Sequence, residues 1–370
     1  MARLEIRHDE PLKPFTTFKV GGPASFFASA ATHEDFVEAL RFARDKHLPV
    51  FVLGGGSNIL VSDSGFQGMV IHPVQRGIAI EAAEPEEVIL RAEAAETWDN
   101  VAGRAVEEGF WGIENLSHIP GHAGAAIVQN IGAYGQQISD VLESTTVMEA
   151  TTGKVLKLNA TDCGFGYRKS IFNTSAKNQF IILQIELALR LRARPDLHYP
   201  DARSFFSERG VDEPTIQQVR DAIIQIRDRK FPFPRGEQGG NAGSFFKNLM
   251  LNEAEFETLR ASLQRNFSTA ELDRLEEIRK RSAPAGPVKI PTAFLIEICG
   301  LKGCRDGGAC VNETQPLVLL NSGGATARDV LSLAGCVRWT VYARTGMTIS
   351  LEPELVGFKP DEVEKFLTLE

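Results

Sequence analysis

Four groups of residues in this sequence have the types and spacing to do chemistry. The first is a pair of glycine- and amide-rich loops: Gly54-Gly55-Gly56-Ser57-Asn58, and the stretch Pro120–Gly135, which holds Gly121, Gly124, Gln129, Asn130, Gly132, Ala133 and Tyr134. Glycine lets backbone N–H groups close on a pyrophosphate without side-chain positive charge, so the two loops together point to a nucleotide cofactor. The plain alternative for either loop alone is a tight turn. The second group is Arg168 in Phe165-Gly166-Tyr167-Arg168. Held beside an aromatic, its guanidinium can offer a two-pronged fork to a carboxylate, or simply make a surface salt bridge. The third is Ile226–Asn248, where Arg227, Arg229, Lys230, Arg235 and Lys247 surround Gly239–Gly243 and the hydroxyl of Ser244. Interleaved Phe and Pro suit a folded pocket wall for a diphosphate better than a duplex-binding face. The alternative is a solvated basic face with Ser244 as a helix N-cap. The fourth is Leu351-Glu352-Pro353-Glu354-Leu355. Two carboxylates two apart on a strand share a face and can work as acid and base, although Pro353 marks an edge, where charges more often discourage aggregation.

Several chemistries are excluded by spacing. A dinucleotide-binding turn needs G-x-G-x-x-G opening a helix, but Ile59 stands three after Gly56 and Val61-Ser62-Asp63-Ser64-Gly65 is another turn. Neither a Walker A sequence nor HExxH occurs. Cys299, Cys304 and Cys310 lack CxxC spacing and a completing His, so no metal is expected, and the cysteines read as small buried hydrophobes. With 40 Lys and Arg against 48 Asp and Glu, the net charge of −8 gives no general pull toward nucleic acid or anionic membrane. The charged stretch Met1–Pro14 lacks an apolar leader, and no run of about 18 apolar residues exists, so the expectation is a cytoplasmic protein.

Positioning these groups takes an ordinary folded chain. At 370 residues, 43% hydrophobic and 24% charged, it has the length for two or three domains. Helical spacing over Glu34–His47 leads into the buried run Val50–Leu53, which feeds the first glycine loop. Strands are predicted at 69–73, 78–82 and 88–92, a helix at 99–108, a hairpin from 141–149 and 155–158, and a long strand at 180–191. Beyond Pro195–Pro200, helices are predicted at 215–229, 253–264, 270–281, 292–298 and 327–343, with strands at 317–320 and 348–351. Domain boundaries fall near 73 and within 193–212.

The blocks now assembled resemble the UDP-N-acetylenolpyruvoylglucosamine reductase (MurB) family, in its long-loop form, over nearly the whole chain. The carriers are Thr16-Thr17-Phe18, Gly54–Asn58, Ile119-Pro120-Gly121 through Gln129–Gly135, Phe165–Arg168, Gly240–Asn248 and Leu351–Glu354, with Tyr199 on the long loop. The resemblance implies an α+β fold with a two-part FAD-binding region of the vanillyl-alcohol-oxidase/PCMH type, residues 1–73 and 74–205. A substrate-binding domain at 206–350 follows, then a segment, 351–370, that returns a glutamate to the active site. It implies an oxidoreductase of peptidoglycan synthesis, and hence of cell-wall biogenesis, cell shape and cell division. It further implies noncovalent FAD, NADPH as co-substrate, and reduction of UDP-N-acetylglucosamine enolpyruvate to UDP-N-acetylmuramate, with a monomer expected. Gly54, Gly55, Gly56, Ser57, Asn58, Pro120, Gly121, Gly124, Gln129, Asn130, Gly132, Ala133, Tyr134 and Gly135 are the implied cofactor contacts.

Each matched catalytic block acquires an implied role. Hydride from flavin N5 adds to C3 of the enolpyruvyl group, and charge builds at C2 and in the carboxylate. Arg168 pairs that carboxylate, Glu354 steadies the enolate as a protonated hydrogen-bond donor, and Ser244 delivers the proton to C2. Tyr199, Lys230, Gly243, Lys247, Asn248 and Gln315 are the implied substrate contacts. The absence of a second dinucleotide fingerprint agrees with NADPH and substrate using one cleft in turn. Departures are the lack of an Arg in Leu355-Val356-Gly357-Phe358 and the unusual Pro120-Gly121-His122-Ala123-Gly124, where His118 or His122 raises covalent flavin attachment as an alternative. Gly300–Val311 is left without a role. An oxidase of the same fold and a catalytically silent nucleotide-sugar binder are the competing readings; the first lacks the Ser244 and Glu354 blocks, and the second needs no catalytic residues.

Overall fold

The computed structural model describes residues 3–231, 239–281 and 286–369, so Arg235 of the basic stretch lies outside the described residues. Its contacts divide the chain into two units. The first is Met1–Glu10, Ala24–Gly56 and Gln67–Arg229; the second is Pro11–Pro23, Ser57–Phe66 and Lys230–Glu370.

In the first unit, Thr32 and Asp35 close a reciprocal capping box that starts the helix His33–Asp45. That helix buries Phe36, Ala39 and Ala43 with Ala28, Met69 and Ile71 of a four-stranded sheet, ordered Arg7–Pro11, Pro23–Ala30, Phe66–Pro73, Val50–Val52. A second sheet runs Val155–Asn159, Leu142–Glu149, Phe180–Arg190, Glu87–Glu93, Ile78–Glu84, with each neighbouring pair antiparallel. The predicted hairpin turns at Thr151–Lys154, and the alternating burial of Glu87–Glu93 shows one face packed and one wet. Helices Trp98–Glu107 and Ala123–Val128 cover the packed face through Trp98, Val101, Ala105 and Ile127. Helices Pro200–Ser207 and Ile216–Lys230 close a third core around Trp111, Tyr134 and Phe206.

In the second unit the helix Ala327–Thr345 is central. Thr326 and Asp329 cap its start, both Asp63 carboxylate oxygens accept from its first backbone N–H groups, and Gly346 ends it in the left-handed region at φ 74°. Helices Glu253–Asn266, Thr292–Ile298 and Pro360–Leu367 pack on it, and at Gly335 a side chain would meet the Phe366 carbonyl oxygen at 2.0 Å. The stretch Gly300–Val311 acquires a structural role: Arg305–Asp306, Ala309–Val311 and Leu319–Asn321 form a small antiparallel sheet. All five cysteines are free thiols. Among the described residues no group of three or more His, Cys, Asp or Glu could hold a metal ion, and no helix is long and apolar enough to cross a membrane.

Candidate active site

In the first unit the two glycine loops meet. Strand Val50–Val52 runs parallel to Met69–Ile71 and is extended by Leu53 N–H donating to Ile71 O at 2.9 Å, which delivers Gly54 and Gly55 to the end of the sheet. A side chain on Gly55 would come within 2.7 Å of Gly121 Cα and 3.1 Å of His122 Cδ2; one on Gly54 would lie 3.1 Å from Ala125 Cβ. The glycines are therefore needed where the loops close on each other. Gly124 is needed for a different reason, since a side chain there would meet Ala94 Cβ at 2.7 Å. The stretch read from sequence as a loop contains the short helix Ala123–Val128, held by Ala123 N–H to Glu96 O and Gly124 N–H to Ala94 O.

His122 lies at this junction, its ring 5.8 Å from that of His72, whose Nδ1 bonds the Leu53 carbonyl at 2.7 Å. Burial first, then the charges of His72 and Arg76, pull His122 down to about 4, so it is neutral at pH 7. Burial likewise lowers His72. His122 Nδ1 is buried without a hydrogen-bond partner among the described residues. A polar atom left open in a glycine cradle fits a cofactor that brings its own hydrogen-bonding groups. In the sequence, the unusual filling of the loop pointed to His122 alone of this pair; nothing there singled out His72.

The second loop, with Asn130 at φ 48°, continues into the turn Gly132–Gln137, where Tyr134 adopts φ 48° and Gly135 φ 94°. Arg168 is tied to it: Nη1 donates to Asn130 O at 3.4 Å and Nη2 to Gly132 O at 3.0 Å. Asn130 Nδ2 in turn donates to Gly166 O. Arg168 itself is at φ 53°, and its carbonyl accepts from Asn173 Nδ2. Tyr199 packs edge-on against Tyr134 with ring centres 5.3 Å apart, and burial pushes the Tyr134 phenol up to about 12, so both rings are uncharged donors or acceptors. Asn115 anchors this pair by donating to both Tyr134 O and Asp196 O. Arg227, read from the sequence as part of an anion-binding wall, is turned inward instead. It is buried, and its Nε donates to His118 O at 2.9 Å.

In the second unit the Ser244 and Glu354 blocks are adjacent through backbone pairing. Phe245 N–H donates to Leu317 O at 2.7 Å, Glu352 N–H to Phe245 O at 2.9 Å, and Lys247 N–H to Ser350 O at 2.9 Å. The expected strand 348–351 contributes only the bridge Leu351–Phe246, and the strand proper is Glu354–Val356, parallel to Ile59–Val61. The chain changes partners across Pro353, which has no N–H to offer a ladder. Asn58 spans the change: its Nδ2 donates to Glu352 O at 3.3 Å and its carbonyl accepts from Glu354 N–H at 3.0 Å. Gly243 is at φ 71° with its N–H on Asn241 Oδ1. Asn248 Oδ1 accepts from Thr292 N–H, Thr292 Oγ1 donates to Lys247 O, the Lys230 carbonyl accepts from Asn312 Nδ2, and the Gln315 carbonyl accepts from Val318 N–H.

The glycine cradle lies within residues 24–159, which match the family model described as "FAD binding domain", and that match places the chain among flavin-binding proteins. Residues 234–356 match the model "UDP-N-acetylenolpyruvoylglucosamine reductase, C-terminal domain". Relatives of that name from Pseudomonas syringae pv. syringae and Pseudomonas aeruginosa are 38% and 37% identical over 352 residues, covering 95% of this chain and 99% of theirs. The solved structure "UDP-N-Acetylenolpyruvylglucosamine Reductase (MurB) from Thermus caldophilus" is similar in fold, with a TM-score of 0.61 at 24% identity over 96% of this chain and 100% of that one. The chain belongs to the UDP-N-acetylenolpyruvoylglucosamine reductase family, and its fold is α+β.

Proposed function

We propose that the chain reduces UDP-N-acetylglucosamine enolpyruvate to UDP-N-acetylmuramate, a step of peptidoglycan precursor synthesis, and that Arg168, Ser244 and Glu354 carry the chemistry. Gly54–Asn58 and 120–135 hold FAD noncovalently. FAD held there would supply the hydride chemistry toward the C3 end of the enolpyruvyl double bond, with NADPH as its reductant. The protein's task is then to stabilise charge at C2 and deliver a proton there. Arg168 pairs the substrate carboxylate, its guanidinium aimed by the carbonyls of Asn130 and Gly132. Glu354 steadies the enolate oxygen by a hydrogen bond from its carboxyl group. Ser244 gives its proton to C2, which is basic enough as a developing carbanion to accept it. Tyr199, Lys230, Lys247, Asn248 and Gln315 receive the diphosphate and uridine, and Gly243 leaves room beside Ser244. The enzyme acts as a monomer in the cytoplasm, with no nucleic-acid partner.

The single observation that carries this reading is the three-part pairing in the second unit, in which Phe245 bonds Glu352 and Glu354 bonds Asn58. It supports a shared role for the serine and glutamate blocks, which lie more than a hundred residues apart in sequence. The test is an anaerobic visible spectrum of the purified protein, taken before and after one equivalent of NADPH and again after the enolpyruvyl substrate. Flavin bands that bleach with NADPH and return with that substrate are expected. Colour returning only on admission of air would overturn the reading in favour of an oxidase, and a colourless protein inactive with added FAD would leave a binding protein.

A further inference from the structure

Thr16-Thr17-Phe18 takes no part in the chemistry above, yet it grips the segment that carries Ser244. Thr17 Oγ1 donates to Asn241 O at 2.7 Å, and Asn241 N–H donates back to Thr17 O at 3.2 Å. Between them Gly240 lies so close that a side chain would meet Thr17 O at 2.2 Å and Phe18 O at 2.8 Å. Asn321, 6% exposed, holds the other side. Its Nδ2 donates to Phe18 O at 3.2 Å and to Lys19 O at 3.4 Å, its N–H donates to Gly240 O at 2.8 Å, and its Oδ1 accepts from Gly323 and Ala325 N–H.

The grip reaches Ser244 in two steps. Asn241, buried by these contacts, turns its Oδ1 onto Gly243 N–H at 2.9 Å and so sets the left-handed turn immediately before the serine. On the other side Phe245 is fixed by Leu317 O and Glu352 N–H. Ser244 thus lies between two anchored neighbours, and on its N-terminal side the Thr17 hydroxyl supplies an anchor that a single substitution can remove.

We propose that Thr17 and Asn321 are positioning residues for proton delivery: they clamp Gly240–Asn241 so that the Ser244 hydroxyl meets C2 of the substrate. This rests on Ser244 being the proton donor. A misplaced donor costs rate in the step that uses it and nothing in the step that does not. Flavin reduction by NADPH needs no proton from Ser244; flavin reoxidation by the enolpyruvyl substrate does.

The experiment is anaerobic stopped-flow of both half-reactions on holoenzyme, for wild type, Thr17→Val, Thr17→Ser, Ser244→Ala and Thr17→Val/Ser244→Ala. Thr17→Val should slow reoxidation about 10-fold or more while reduction changes less than about 2-fold. Thr17→Ser, which keeps the hydroxyl, should recover most of the rate, and Thr17→Val should add no slowing once Ser244 is alanine. Equal slowing of both half-reactions, a serine variant as slow as valine, or additive slowing in the double variant would each overturn the clamp. If Ser244→Ala itself reoxidised at the wild-type rate, the proton-donor reading would fall, and the clamp with it. Should Thr17→Val not retain FAD, Asn321→Asp takes its place with the same expectations, since it keeps the bonds to Gly323 and Ala325 and loses the donors to Phe18 and Lys19.

Discussion

Replacing Gly55 with alanine is the sharpest test of the cofactor cradle. The new methyl would stand 2.7 Å from Gly121 Cα, 3.0 Å from Gly121 carbonyl carbon and 3.1 Å from His122 Cδ2. Carbon atoms normally approach to about 3.5–4.0 Å, so the loops would have to part by roughly 1 Å. Two of the three obstructing atoms are backbone, which no rotamer change can move aside. Overpacking of this kind costs about 1–3 kcal/mol. If that strain opposes the closed pair of loops that FAD requires, affinity falls roughly 5- to 150-fold. Gly54→Ala provides the graded comparison, because its methyl meets only the Ala125 side chain at 3.1 Å and His122 Cβ at 3.9 Å. It should lose less than about tenfold. The assay is titration of apoprotein with FAD, followed by quenching of flavin fluorescence, with thermal melts of the apoproteins alongside. Wild-type affinity in Gly55→Ala, or a greater loss in Gly54→Ala, would refute the argument that the loops meet to make the site.

Three further outcomes follow from the same geometry. Arg168→Lys should lower kcat/KM for the enolpyruvyl substrate about 100-fold, since an ammonium cannot reach two backbone carbonyls and still fork onto a carboxylate; an unchanged value in steady-state kinetics would count against the pairing. Glu354→Gln keeps the shape of the side chain but offers an amide, a weaker hydrogen-bond donor than a carboxyl O–H, so its reoxidation rate should fall below wild type while flavin reduction by NADPH is unchanged. An unchanged reoxidation rate in stopped-flow would sink the donor role. His122 and His72 are both held neutral, so protons bind the unfolded chain better than the folded one as pH falls from 6.5 toward about 4, and stability is lost across that window. His122→Gln should flatten this loss in melting curves recorded from pH 7 to pH 4, and an unchanged slope would show the imidazole to be solvated.

Much of the fold was legible because long elements announce themselves. The helix expected over 327–343 is Ala327–Thr345, and the strand expected over 180–191 is Phe180–Arg190, since each carries its period for several turns or residues of one ladder. Of the three-residue strands, Val50–Val52 and Leu319–Asn321 match runs expected at 50–53 and 317–320, whereas Ile59–Val61 and Glu354–Val356 were not legible. Ile59–Val61 looks like the approach to a turn, and 348–351 looks more strand-like than Glu354–Val356 does. Three residues hold too little pattern to declare a period, and what makes them strands is a partner almost three hundred positions away.

The site divides along the same line. Residue type and spacing were enough to suggest glycine loops suited to a pyrophosphate, an arginine suited to a carboxylate and paired carboxylates suited to acid–base work, and to exclude a Rossmann turn, because those properties belong to the side chains and their immediate neighbours; the proton-donor role of Ser244 came only with the family resemblance. Tertiary structure alone decided that Gly55 must be glycine to admit Gly121, that Arg227 is buried on a carbonyl rather than facing an anion, that His122 is neutral, and that Thr17 and Asn321 hold the turn before Ser244. Each of these depends on which distant backbone atoms surround a residue, and burial, hydrogen-bond partners and steric room exist only once the chain has brought those atoms together.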